Sequence, residues 1–191
     1  MADLTLDPRT TALVVIDLQK GIATGNLAPN AAADVVRNAA AIARRCRERG
    51  VLVVLVHVDP GPGGALFPRP QADQPRTFAP PPDFAEFVPE MTPEANDAVV
   101  LKHQPNAFYA TDLEVHLARR GIRTIVLCGI ATNLGVEATA RAAFERGFEQ
   151  VFVADAMTAR EAELHTFPVA RTFPTMGRVR ATADVLAALD A

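Results

Sequence analysis

Two cysteines are too few for a disulfide framework, and they stand in unrelated settings, Cys46 in a helical pattern and Cys128 inside a β-branched run. A reducing compartment keeps such residues as thiols, and a cysteine within a strand reads as a small buried hydrophobe rather than a nucleophile. No apolar run approaches the ~20 residues that a membrane span needs. The first residues, MADLTLDPRT, show no basic segment followed by an apolar one, so no leader is expected and a cytoplasmic protein is. Basic residues form no block either. The formal net charge is −3 and the pI about 5.8, and arginines are interleaved with acids, as in Arg44, Arg45, Arg47, Glu48 and Arg49. Neither nucleic acid nor an anionic membrane surface is an expected partner. Histidine is scarce as well. His57 and Asp59 could be half of a metal site, but no further histidine follows until His103. One imidazole and one carboxylate hold a metal poorly, so His57 is read as a hydrogen-bonded histidine at a strand end, and no metal is expected.

What remains is a hydrophobic chain, 49% apolar over 191 residues, enough for one domain with an ample core. Residues 11–16 are a continuous apolar run, the mark of a strand covered on both faces, and the run ends in Asp17. Asp17 either caps the loop that follows or serves the site. Residues 31–49 carry Val35, Ala39, Ile42 and Cys46 at helical spacing and are closed by Gly50. Residues 51–58, VLVVLVHV, form a second buried strand. A third short strand over 98–101 ends in Lys102, and after a loop Thr111 and Glu114 have the spacing of a capping box for the next helix. Lys102, taken alone, is a solvated surface residue. Residues 150–154 form a fifth strand ending in a turn-capping Asp155, and residues 161–171 a helix bearing a packed His165. A short strand and a helix close the chain.

Between the second and third strands, residues 59–97 hold ten of the fifteen prolines, with Phe67, Phe78, Phe84 and Phe87 spaced along them. A connection of that length is a lid, a docked arm or a disordered linker, and the phenylalanines argue for docking. A lid over the site and an arm over a partner in a homodimer or higher homo-oligomer are compatible expectations.

Residues 124–143, TIVLCGIATNLGVEATARAA, read as a strand over 124–128, a turn whose first residue is Gly129, and an Ala-rich helix closed by Gly147. Alternating strands and helices with right-handed crossovers predict an α/β fold, a three-layer α/β/α sandwich around a mostly parallel sheet of about six strands. In such a sheet ligands bind outside the carboxyl ends of the strands, where a helix start offers N–H groups. Asp17, Lys102 and the turn at 129–135 all fall on that edge, which favours a functional role for both side chains. Gly135 is out of place in a first helical turn, where glycine is roughly 1 kcal/mol worse than alanine. Either close backbone approach is wanted there or a side chain has been lost.

The motifs GIATNLGVEATARAA, LVVIDLQ at 13–19, LKHQPNAFYATDLEVHLARRGI at 101–122 and VFVADAMTA at 151–159 resemble, in order and spacing, those of the isochorismatase-like hydrolases, the cysteine hydrolase family. The resemblance covers most of the chain but not residues 59–97. It implies a Rossmann-like sandwich, no cofactor and a small-molecule substrate. It also implies that Asp17 and Lys102 are the aspartate and lysine of a triad whose cysteine, in most of the family, stands at the position of Gly135. A cis peptide between Ile130 and Ala131 would turn the Ala131 and Gly135 N–H groups inward as an oxyanion hole, and Gln19 and Phe108 would contact substrate. Isochorismatases of siderophore and phenazine pathways resemble this chain in having glycine there, and they cleave a vinyl ether. Three functions stay open: non-covalent hydrolysis of a small, anionic substrate such as an isochorismate-type vinyl ether, water-mediated amide or ester hydrolysis, and small-molecule binding without catalysis.

Overall fold

A computed structural model describes residues 4–68, 71, 73 and 79–191. Residues 1–3 and Phe78 lie outside the described residues, so the expected leaderless start and the docking of that phenylalanine are not addressed by it.

Six strands, β1 (Thr11–Ile16), β2 (Leu52–Val58), β3 (Ala98–Lys102), β4 (Thr124–Ile130), β5 (Glu149–Thr158) and β6 (Arg178–Arg180), form one sheet in the order β3-β2-β1-β4-β5-β6. Every pairing in it is parallel. Among the described residues five helices complete the α/β sandwich: α1 (Ala32–Glu48), α2 (Leu113–Arg119), α3 (Glu137–Glu145), α4 (Ala162–Phe167) and α5 (Thr182–Asp190). The apolar runs are continuous because both faces of the sheet are covered. Along β1, Leu13 and Val15 pack with Val35 and Ile42 of α1 and with Val185 and Leu189 of α5. Ala12, Val14 and Ile16 pack on the other face with Leu113 and Leu117 of α2 and with Ala140 and Ala143 of α3.

The strand order reverses between β1 and β4, since the chain runs outward from β1 through β2 to β3 and then returns to the other side at β4. The carboxyl ends of these two strands therefore open a crevice. Their approach is tight: Gly129 pairs with Ile16, has φ +121°, and a Cβ there would lie 2.0 Å from the Ile16 carbonyl oxygen. Only glycine fits, which is why β4 runs on through Gly129 to Ile130 instead of turning at Gly129 as the sequence suggested.

Two local expectations give way to longer-range bonds. No capping box closes at Thr111: its Oγ1 accepts from Leu113 N–H at 3.3 Å and donates to the Ala107 carbonyl, but Glu114 pairs with Arg146 at 3.0 Å. Asp155 does not end its strand, because β5 continues to Thr158. Its carboxylate instead accepts from the backbone N–H and hydroxyl of Thr182 at 2.7 and 2.8 Å and so caps α5.

The proline-rich segment docks where it is described. Phe87 bridges antiparallel to Gln19, Lys20 N–H donates to the Glu86 carbonyl at 2.8 Å and Gly21 N–H to the Phe84 carbonyl at 3.0 Å. Phe84 is buried, and Lys20 holds Glu86 at 2.6 Å.

Candidate functional site

Asp17 is the residue at which β1 leaves the sheet. Its N–H still bonds the Val56 carbonyl at 2.9 Å, but its φ of +55° is left-handed, a conformation aspartate tolerates better than most residues. Lys102 ends β3, opposite Val58. The two side chains meet in the crevice with Lys102 Nζ 2.7 Å from Asp17 Oδ2, and they are only 1% and 5% exposed. That degree of burial overturns the surface reading of Lys102. Burial pushes the Asp17 carboxyl above its ordinary value, with the Lys102 ammonium pulling the other way. Asp17 Oδ1 is buried and has no hydrogen-bond partner among the described residues.

Beyond Asp17 the chain lines a cavity of about 480 Å³, a size suited to a small molecule. Lys102, Ala131 and Gly135 line it together with Asp17. Ile22, Leu27, Phe67 and Phe84 make its walls apolar, and Arg160 adds a further charge. Thus the proline-rich segment supplies two aromatic walls. The peptide between Ile130 and Ala131 is cis, as the resemblance implied. Thr132–Val136 then forms one wide turn that leads into α3, with Gly135 buried in it. A Cβ on Gly135 would lie 2.9 Å from Ile16 Cγ2, 3.0 Å from Asp17 Oδ2 and 3.7 Å from Lys102 Nζ. Asp17, Lys102 and position 135, far apart in sequence, are therefore one cluster. No thiol is among the lining residues, and Cys46 and Cys128 are both buried.

Two expected substrate contacts lie elsewhere. The Gln19 side chain is fully buried, donating to the Val58 and Phe84 carbonyls at 2.9 and 2.7 Å and accepting from Val58 N–H at 2.8 Å. It fastens the proline-rich segment to the end of β2. Phe108 packs on Phe148, with Arg146 over its ring, and does not line the cavity. His57 Nδ1 donates to the Ala85 carbonyl at 2.8 Å and the ring leans on Phe87, and among the described residues no three metal-binding side chains gather.

The sequence reading missed how the turn is anchored. Thr132 Oγ1 donates to the Thr158 carbonyl at 3.0 Å and lies 2.9 Å from His165 Nδ1. With the hydroxyl proton committed to Thr158, His165 must donate from Nδ1. Burial holds its pKa below the ordinary 6.5, so the neutral ring is the folded form. A lowered pKa gives stability that is complete above the ordinary value and is lost as pH falls from 6.5 toward the folded value. His165→Ala is expected to cost about 1–3 kcal/mol at pH ~8 through the orphaned bond. The gap in Tm between variant and wild type should narrow by pH ~5, below the ordinary histidine pKa. An equal gap at both pH values would refute this account of the anchor.

A family model for the isochorismatase domain matches residues 11–184. The chain is 42% identical over 189 residues to the isochorismatase family protein YwoC of Bacillus subtilis, covering 97% of each. It is 32% identical to the ureidoacrylate amidohydrolase RutB of Methylorubrum extorquens over 80% of this chain and 71% of that protein. A solved isochorismatase family protein from Burkholderia thailandensis superposes with a TM-score of 0.94 at 42% identity, over the whole of both chains. With its six-stranded parallel sheet and its cluster at the strand ends, the chain belongs to the isochorismatase family of hydrolases.

Proposed function

We propose that the protein hydrolyses a small, anionic substrate without a covalent intermediate, an isochorismate-type vinyl ether being the named candidate. The observation that carries this is the buried Asp17–Lys102 contact at 2.7 Å, facing a glycine at position 135. Lys102 occupies Oδ2, so a proton carried by the carboxyl sits on Oδ1, the oxygen without a partner. Burial raises the Asp17 pKa, which favours that protonated form.

The chemistry needs nothing more than an acid and a water. Asp17 gives its proton to the terminal carbon of the enol ether and the adjacent carbon becomes an oxocarbenium ion. Water adds to that carbon and returns a proton to the Asp17 carboxylate. The resulting hemiketal breaks its C–O bond to give a ketone and an alcohol. Lys102 keeps the carboxyl in register and offsets its charge when it is ionised. The resemblance places the usual nucleophile of the family at 135, where glycine can form no acyl-enzyme.

The likeness to a ureidoacrylate amidohydrolase favours a second chemistry, amide hydrolysis by water that Asp17 activates, with the Ala131 and Gly135 N–H groups at the developing oxyanion. Purified protein offered isochorismate, nicotinamide and N-carbamoyl amino acids in parallel separates the two. Release of pyruvate from isochorismate is the expected result. Turnover confined to the carbamoyl compounds transfers the function to the second chemistry, and no turnover of any leaves a binding protein.

A further inference from the structure

We infer that Arg160 is the anion-binding residue of the cavity and that it selects small carboxylates with an apolar body; this rests on the cavity being the substrate site. Among the described residues three charged side chains line the cavity, Asp17, Lys102 and Arg160. The first two are committed to each other at 2.7 Å. Arg160 is exposed and takes part in no ion pair or side-chain hydrogen bond among the described residues. An arginine at the mouth of a cavity, with its donors unspent, is a fork shaped for a carboxylate.

Its backbone is held so that the fork is presented there. Arg160 lies two residues beyond the end of β5, and the residue before it, Ala159, is fixed by a two-way backbone bridge to Ala28, at 2.9 and 3.1 Å. Asn30 Nδ2 donates to the Met157 carbonyl at 2.8 Å, which ties the same stretch of β5 to the loop that contributes Ile22 and Leu27 to the cavity. After Arg160 the chain enters α4 at once. Most of the remaining lining is apolar, with Thr24 and Asn26 as polar members, and Phe67 and Phe84 offer flat surfaces to a ring or an unsaturated chain. The ligand class that fits both features is a compact carboxylate whose body is hydrophobic.

Binding of benzoate, with benzamide as the uncharged isostere, tests this without relying on turnover. By calorimetry and thermal shift, wild type is expected to bind benzoate at least about 10-fold more tightly than benzamide, with affinity falling as salt rises. Arg160→Gln should weaken benzoate by about 10-fold or more, the tenfold corresponding to 1.4 kcal/mol, and leave benzamide unchanged. Arg160→Lys should recover part of the preference, since it keeps the charge and loses the fork. Equal binding of the two probes by wild type, no saturable benzoate binding, or benzoate binding lost in Lys102→Met but kept in Arg160→Gln would overturn the assignment. Carboxylate selectivity without any vinyl ether turnover would leave Arg160 in place and remove the proposed chemistry. Pyruvate release with no such selectivity would do the reverse.

Discussion

Asp17→Asn is expected to cut turnover by about 10²-fold or more, the range removed with a general acid or base. Asparagine tolerates the left-handed backbone at this position and keeps a carbonyl to accept from Lys102, so the site should stay assembled without its proton. Above the raised Asp17 value, where the wild-type carboxyl is ionised, the Lys102 ammonium would however lose its counter-charge at 1% exposure. Breaking a buried pair by removing one partner costs ~3–5 kcal/mol, and the retained acceptor puts Asp17→Asn at the low end of that range. Adding Lys102→Met removes the orphaned charge. The double variant should therefore be more stable than Asp17→Asn and just as inactive, which thermal unfolding and a turnover assay check together.

The pH dependence carries its own sign. Asp17 acts as an acid while protonated, and its pKa is raised above 3.8 by burial. Turnover should therefore fall as pH rises through the raised value. Stability contributed by the carboxyl follows the same direction, complete below 3.8 and lost as pH rises through the folded value. Residual activity in Lys102→Met should show its alkaline limb at higher pH, because the group that opposes protonation has gone. Full activity in Asp17→Asn, or an alkaline limb that Lys102→Met leaves in place, would take the proton from Asp17.

The sheet was legible because each of its central strands is an uninterrupted apolar run, a pattern that only double coverage by helices explains. Asp17 and Lys102 were legible for a related reason: a charged residue that ends a buried strand falls on the carboxyl edge whatever its rotamer. The pairing itself was not visible, since β3 and β1 are separated by β2 and only the folded sheet brings their ends within 2.7 Å. Gln19 sits in a motif that suggested substrate contact, yet it bonds Val58 and Phe84, partners set by the docking of the proline-rich segment. No local pattern encodes that docking. Thr111 had the spacing for a capping box, and its Oγ1 does accept from Leu113 N–H at 3.3 Å, but Glu114 turns to Arg146 and leaves the box unclosed. Arg160 could have been found, as it follows a strand end on the same edge as Asp17.

Iodoacetamide should leave the native activity unchanged, and Gly135→Cys should create the single alkylatable site. Cys46 is buried with its thiol pushed up to about 12, and burial pushes Cys128 up as well, so neither forms a thiolate near neutrality. At 135 the surroundings are the opposite: a side chain there starts 3.7 Å from the Lys102 ammonium, which favours the thiolate. It would also crowd Ile16 Cγ2 at 2.9 Å and Asp17 Oδ2 at 3.0 Å, so the methyl and the carboxylate must each yield a few tenths of an ångström. Such overpacking costs ~1–3 kcal/mol, offset by a few tenths from replacing glycine in a helical turn. The variant should therefore fold with a modestly lower Tm and lose vinyl ether turnover, because the new sulfur occupies space beside Asp17. Mass spectrometry after alkylation should find one modified residue, and incubation with an N-carbamoyl amino acid or a small amide should trap an acyl adduct at the same place. Loss of native activity on alkylation of Cys46 or Cys128 would reveal a nucleophile elsewhere and end the case for non-covalent chemistry at Gly135.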